Sequence, residues 1–162
     1  MPATNLARWD GTSWSTFGGG VDGTGYGTDG NIWGSEFLIA DYAGFRRVAH
    51  LEYFPLPGGD AATREPWRVA LALLWQYGLD WEDVPHENMK RDTILHQLEH
   101  RINTPFTSSM GRLFDAVAAL AGVRQAVNYE AQAGIEFGAL VADDENGIYP
   151  FGIERNTQHA TR

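Results

Sequence analysis

Apolar and polar positions divide the chain into a strand-rich first part and a helical second part. Residues 6–17 place two short runs containing tryptophan on either side of an Asp-Gly turn, which predicts a β-hairpin. The runs 36–42 and 45–54 predict two paired strands around Ala43-Gly44. Residues 55–60 are rich in proline and glycine and therefore predict a loop.

Four helices are predicted after this loop. The first begins at Glu65-Pro66, because proline suits the first helical turn, and it ends at Tyr77 before a glycine. The others are predicted at 88–102, at 109–122 with Ser109 as the N-cap, and at 129–142. Strands followed by helices indicate an α+β fold.

Changes in composition predict three segments. Residues 1–20 resemble one hairpin of a β-propeller repeat, with no second copy in the chain. Residues 21–142 form the predicted core domain, and residues 143–162 form a mainly polar tail that we expect to be loosely packed. The predicted strands also leave unpaired edges, which favour self-association or a partner.

Composition excludes several classes of function. The chain has 12 basic and 21 acidic residues and a net charge of −9, which disfavours nucleic acid as a partner. It has no cysteine, so disulfides, cysteine-ligated zinc and a thiol nucleophile are excluded. Neither a signal pattern nor an apolar run of membrane-spanning length is present, so we expect a cytoplasmic protein without membrane contact.

A glycine-rich loop from Asp22 to Gly30 is the strongest local signal for binding chemistry. Closely spaced glycines let backbone N–H groups converge on one phosphate without positive side chains. Carboxylates in such a loop are candidates to hold a metal that bridges phosphate oxygens. The alternative is a glycine-rich turn between two strands. The candidate residues are Asp22, Gly23, Thr24, Gly25, Gly27, Thr28 and Asp29, with Asp22 or Asp29 as metal ligand.

A second candidate block lies at 107–115. Ser108 and Ser109 at a helix start are explained as caps. Gly111, Arg112 and Asp115 are alternatively contacts for ribose or phosphate, since arginine binds phosphate as a fork and aspartate accepts from sugar hydroxyls.

The segment His96-Gln-Leu-Glu-His100 matches an inverted zinc-protease pattern. Such a site needs a third ligand and a cavity for water. We interpret the segment as the polar face of a solvated helix and expect no structural metal at His96 and His100.

Several long blocks, in one order, resemble the HypF-type carbamoyltransferases of hydrogenase maturation. The similarity spans about residues 21–140. The matching blocks are 22–34, 36–38, 57–62, 64–70, 103–105, 107–119 and 128–136.

The resemblance implies an actin-like ATPase (ASKHA-type) fold, of which this chain would be a fragment. It implies ATP or carbamoyl-adenylate as ligand, the loop glycines at the nucleotide phosphates, and Asp22 at a divalent metal. It also implies a partner, a hydrogenase maturation protein whose cysteine receives the carbamoyl group that becomes the cyanide ligand of the nickel–iron site.

The chain departs from the family pattern at both ends. A His-rich metal-binding motif is expected just before the loop, where this sequence has 14–20, and a further glycine-rich nucleotide motif is expected where it has 143–162. Two hypotheses follow: a carbamoyltransferase domain fragment that still contacts nucleotide, or a noncatalytic remnant that acts as a binding or interaction domain. Neither hypothesis assigns a catalytic residue.

Overall fold

The structure is a computed structural model, and it describes most of the chain between the first hairpin and the last helix. The described residues are 6–9, 14–17, 25–41, 43–81, 88–142, 144, 147 and 148, with the backbone alone at 6–9, 14–17 and 88. The strands are β1 (Leu6–Trp9), β2 (Trp14–Phe17), β3 (Gly25–Tyr26), β4 (Ile32–Trp33), β5 (Glu36–Ala40), β6 (Phe45–His50), β7 (Phe54–Pro55) and β8 (Phe106–Thr107). The helices are α1 (Asp60–Arg64), α2 (Pro66–Gln76), α3 (Asn88–His100), α4 (Met110–Leu120) and α5 (Gln132–Gly138).

The described strands form two hairpins and one small sheet. β1 pairs with β2 and β5 pairs with β6, both antiparallel, so the hairpins predicted from the sequence are confirmed. The β5–β6 ladder shifts register between Phe37 and Leu38. The propeller resemblance of residues 1–20 stays a prediction.

The third sheet has four strands in the order β3-β4-β8-β7. β4 runs parallel to β8, and the other neighbours are antiparallel. The single strand predicted over 45–54 is wrong in its last part, because β6 ends at His50 and Phe54 pairs with Thr107 in this other sheet. Phe54 and Pro55 are fully buried there, so packing against the helices determines which sheet they join.

The helices begin close to the predicted positions. Pro66 occupies the first turn of α2, and Ser109 caps α4 by accepting a hydrogen bond from the amide of Arg112. The predicted loop 55–60 gives way to the short helix α1 at Asp60. The last helix is shorter than predicted, because Ala131 takes a left-handed conformation and α5 starts after it.

Helix α2 is the centre of the core. One side packs Val69 and Ala70 against β7 and the small residues Ala116 and Ala119 of α4. The other side packs Trp67, Leu71 and Ala72 against Ile94 and Leu98 of α3. Fully burying an aliphatic side chain such as Ile94 contributes about 1.5–3 kcal/mol. The chain is therefore a mixed α+β fold, and in the described part no helix is long and apolar enough to span a membrane.

Candidate functional site: a glycine-rich turn held by Asp29

The described half of the glycine-rich loop is a tight turn between β3 and β4. Its ends are joined by a bond of 2.7 Å from the amide of Gly27 to the carbonyl of Asn31. Gly30 sits inside the turn at a φ of 80°, which favours glycine. The alternative interpretation, a turn between strands, is thus correct for these residues as local structure. Asp22, Gly23 and Thr24 lie outside the described residues.

Asp29 accepts four hydrogen bonds and thereby fixes the turn. Its Oδ1 accepts from the amide of Asn31 at 3.1 Å and from Trp33 Nε1 at 2.8 Å. Its Oδ2 accepts from Arg47 at 2.5 Å and from the Tyr53 hydroxyl at 2.6 Å. One donor comes from the turn, one from β4 and two from β6 and the segment after it, so one carboxylate ties the glycine-rich turn to the neighbouring hairpin.

Arg47 extends this network towards α4. Its guanidinium lies over the ring of Trp33 at 4.3 Å, and its Nη1 is 3.7 Å from Glu36 Oε1. The same Glu36 oxygen accepts from the hydroxyl of Ser108 at 2.5 Å. We call Asp29, Trp33, Glu36, Arg47 and Tyr53 the Asp29 cluster. Sequence reasoning selected only Asp29 from it.

The cluster shifts the ionisation of its members. Burial by itself raises the pKa of Asp29, but hydrogen bonds from Tyr53 and three further donors outweigh it. The pKa of Asp29 therefore lies well below its ordinary value. Burial lowers the pKa of Arg47, but Tyr53 and Asp29 raise it further, so the net shift is upward. Burial and the bond to Asp29 raise the pKa of Tyr53. Asp29 and Arg47 are consequently a fixed ion pair at neutral pH.

Two neighbouring glycines of the loop differ in their surroundings. A Cβ added at Gly27 would lie 2.0 Å from the ring of Trp33, so the fold itself requires glycine there. A Cβ at Gly25 would meet no atom of the described residues within 4 Å, and φ at Gly25 is not positive. The open space beside Gly25 leaves room for a ligand.

The start of α4 lies against β4 and the two residues after it. The amide of Ser108 donates to the carbonyl of Ile32 at 3.0 Å, and the amide of Met110 donates to Ser35 Oγ at 2.9 Å. A Cβ at Gly34 would lie 2.7 Å from Ser109 Cα. This close approach places the second candidate block beside β4, the strand that follows the glycine-rich turn.

Arg112 and Asp115 form a buried pair one turn into α4. Their side chains are 10% and 3% exposed, and Arg112 Nη1 lies 2.7 Å from Asp115 Oδ2. Arg112 also donates to the carbonyl of Thr63 at 3.3 Å, which joins α4 to α1. Gly111, half-buried, precedes them. The structure thus places Arg112 and Asp115 inside the helical core.

The described residues of the loop do not fit a divalent metal. Both oxygens of Asp29 face N–H and O–H donors, and a guanidinium already neutralises its charge. Within the described part of the chain, the one group of three potential metal ligands is His96, Glu99 and His100 on α3.

Comparison with known proteins identifies the family. The model of the family "Carbamoyltransferase, Kae1-like Domain, second subdomain" matches residues 18–162. The chain is 45% identical over 127 residues to the carbamoyltransferase HypF of Rhizobium leguminosarum bv. viciae, covering 75% of this chain and 16% of that protein. It is 47% identical to the HypF of Rhodobacter capsulatus, covering 76% of this chain and 17% of that protein. The chain therefore belongs to the HypF carbamoyltransferase family.

Solved structures agree with this assignment. The crystal structure of full-length HypF in the phosphate- and nucleotide-bound form superposes with a TM-score of 0.75 at 45% identity, covering 83% of this chain and 18% of that one. The structure of HypF from T. kodakarensis gives a TM-score of 0.63 at 32% identity, covering 80% and 19%. The chain thus spans less than a fifth of the length of these relatives.

Proposed function

We propose that this chain forms the nucleotide-contacting part of a carbamoyl-transferring domain with an actin-like ATPase fold. The observation that carries the proposal is its 45% identity to a full-length HypF whose structure holds phosphate and nucleotide. The ligand of this chain would be ATP or carbamoyl-adenylate.

The glycine-rich turn supplies the physical basis for phosphate binding. Asp29 holds the turn in one conformation, so little conformational entropy is lost when a ligand binds. The open side of Gly25 allows a phosphate to approach the backbone. Asp22, Gly23 and Thr24 continue the same loop in the sequence and belong to the proposed site. Gly111, Arg112 and Asp115 would support the site from α4, with the buried pair in a positioning role.

The proposed reaction of the whole protein is carbamoyl transfer to a partner cysteine during hydrogenase maturation. The cysteine sulfur attacks the carbamoyl carbon of carbamoyl-adenylate, a sulfur–carbon bond forms, the carbon–oxygen bond to the phosphate breaks, and AMP leaves. The thiol proton passes to solvent. Asp22 is the metal ligand that the resemblance implies, and it lies outside the described residues. None of the steps above involves a metal. Since the chain spans a small share of its relatives, we expect nucleotide binding but no carbamoyl transfer by this chain alone.

The test is a calorimetric titration of the full chain with ATP and magnesium. We expect weak saturable binding that Gly25→Val abolishes, because its branched side chain fills the space beside the backbone. Gly44→Val is the matched control: Gly44 also has open space around its Cβ and no positive φ, but it lies in the turn between β5 and β6. Circular dichroism should show an unchanged fold for both variants. No binding by the folded chain, or equal loss in both variants, would refute the proposal.

The exposed face of the β5–β6 hairpin favours a second candidate function, a noncatalytic interaction domain. Phe37 and Ile39 lie on one side of β5 and are 58% and 54% exposed. Apolar side chains grouped in this way are typical of protein interfaces. A folded chain that binds no ATP but self-associates in light scattering, with the association lost in Phe37→Ser, would support this function over the first.

A further inference from the structure

Helix α3 has an apolar face and an exposed face of different chemistry. Ile94 and Leu98 are buried against α2. His96, Glu99 and His100 are exposed at positions i, i+3 and i+4, which share one side of a helix. One potential ligand atom from each of the three lies within 4.8 Å of the others. The sequence predicts no structural metal here, since such a site needs a third ligand and a cavity for water. Glu99 is a candidate for the third ligand.

The ring of His100 is oriented by its own helix. His100 Nδ1 lies 3.0 Å from the carbonyl oxygen of His96. A carbonyl only accepts, so Nδ1 must carry the proton, and the neutral ring then presents the lone pair of Nε2 to solvent. Metal-binding histidines commonly donate their second nitrogen to a carbonyl in this way. The centroids of the His96 and His100 rings lie 4.1 Å apart, so one nitrogen of each ring can reach the same volume of solvent.

We propose that His96, Glu99 and His100 form an exchangeable zinc site on the exposed face of α3. Two imidazoles and one carboxylate are a zinc ligand set, and water completes the coordination. Tetrahedral zinc with bonds of about 2.0–2.1 Å needs ligand atoms about 3.4 Å apart, so the side chains must close by roughly 1 Å. Exposed side chains make that adjustment freely, while the helix keeps the three Cβ positions fixed. The net charge of −9 also attracts cations.

The proposal concerns binding and not hydrolysis. The three side chains are exposed to solvent. The site is independent of the glycine-rich loop and of the nucleotide proposal.

The experiment is a calorimetric titration of the full chain, purified without an affinity tag and treated with chelator, with zinc chloride at neutral pH. We expect one zinc per chain. His96→Ala and His100→Ala should each weaken binding by at least about tenfold. Glu99→Gln should weaken it more than Asp92→Asn, a matched control that removes one exposed carboxylate from the same helix. His50→Gln, on β6, controls for the loss of an exposed histidine.

Thermal unfolding provides the second readout. Zinc in excess should raise the melting temperature of the unmodified chain, because it binds the folded helix, and should leave that of His96→Ala unchanged. Since all three ligands are exposed, the variants should retain their circular dichroism spectra. Absence of saturable binding, binding unaffected by His96→Ala and His100→Ala, or equal affinities of Glu99→Gln and Asp92→Asn would overturn the proposal.

Discussion

Two glycines of the same loop should respond in opposite ways to alanine. Replacing Gly27 brings a Cβ to 2.0 Å from the Trp33 ring, so the ring must move by about 1.5 Å to regain van der Waals distance. Replacing Gly25 adds a methyl group to open space at a backbone conformation that alanine tolerates. Comparing alanine at the two positions therefore separates the steric cost at Gly27 from the restriction of the unfolded chain, which both substitutions cause.

The cost at Gly27 follows from what Trp33 loses. Its Nε1 hydrogen bond to Asp29, at 2.8 Å, has a charged acceptor, and such bonds contribute about 1.5–3 kcal/mol. Its stacking with Arg47, at 4.3 Å, contributes about 0.5–1 kcal/mol at an exposed position. Alanine recovers about 0.4–1 kcal/mol by restricting the unfolded chain. Gly27→Ala should thus lower the free energy of unfolding by about 2–3 kcal/mol, and Gly25→Ala should leave it unchanged or raise it by up to about 1 kcal/mol.

Urea denaturation followed by far-UV circular dichroism measures both values. A Trp33→Ala background provides the decisive control, since removal of the ring should reduce the cost of Gly27→Ala to within about 0.5 kcal/mol of zero. Equal effects at the two glycines, or a cost at Gly27 that persists without the Trp33 ring, would refute the reasoning.

Two further predictions concern ion pairs. Asp29→Asn should lower the free energy of unfolding at neutral pH. Because the pKa of Asp29 is lower in the folded chain, this deficit should shrink as the pH falls below the unfolded value of about 3.9, and a pH-independent deficit in urea titrations would contradict it. Arg112→Met leaves buried Asp115 without this guanidinium and should cost about 3–5 kcal/mol. Arg68→Met breaks a more exposed pair with Glu65 and should cost about 1 kcal/mol at most, so equal costs in thermal melts would contradict the role assigned to burial.

Elements with local signals could be predicted from the sequence. Pro66 marks the start of α2, Ser109 caps α4, and Ala43-Gly44 lies between the strands of the β5–β6 hairpin. Each signal acts within a few residues of the element that it defines, so the pattern alone was sufficient.

The small sheet could not be predicted, since its strands are defined by distant partners. β7 and β8 have two residues each, and Phe54 pairs with Thr107 far along the chain. Such short strands have no periodicity to detect. Thr107 is fully buried, but its sequence context is that of a residue before a helix cap. Their pairing follows from the packing of α2 and α4.

The sequence selected the glycine-rich loop as a candidate site, and only the structure shows what holds its described part in place. Asp29 was selected as a candidate metal ligand in that loop, whereas its carboxylate accepts from four donors of the protein itself. Trp33, Arg47 and Tyr53 carry no motif, because they are related to Asp29 only by folding. Sequence motifs relate residues that are close in the chain, whereas the Asp29 cluster joins side chains spread over residues 29–53.

The charges of the Asp29 cluster restrict how the phosphate of the proposed ligand would be bound. Arg47 is paired with Asp29 and Glu36, and Arg112, in the helical core, is paired with Asp115, so these two arginines already have acidic partners. A phosphate that recruited Arg47 would have to separate it from the carboxylate of Asp29, which lies 2.5 Å from the guanidinium. Backbone amides do not have to leave a carboxylate in order to bind phosphate. Several amides can converge on one phosphate only where glycines are frequent. The cluster therefore favours phosphate binding through backbone amides. Arg47 then stabilises the turn and does not contact the ligand.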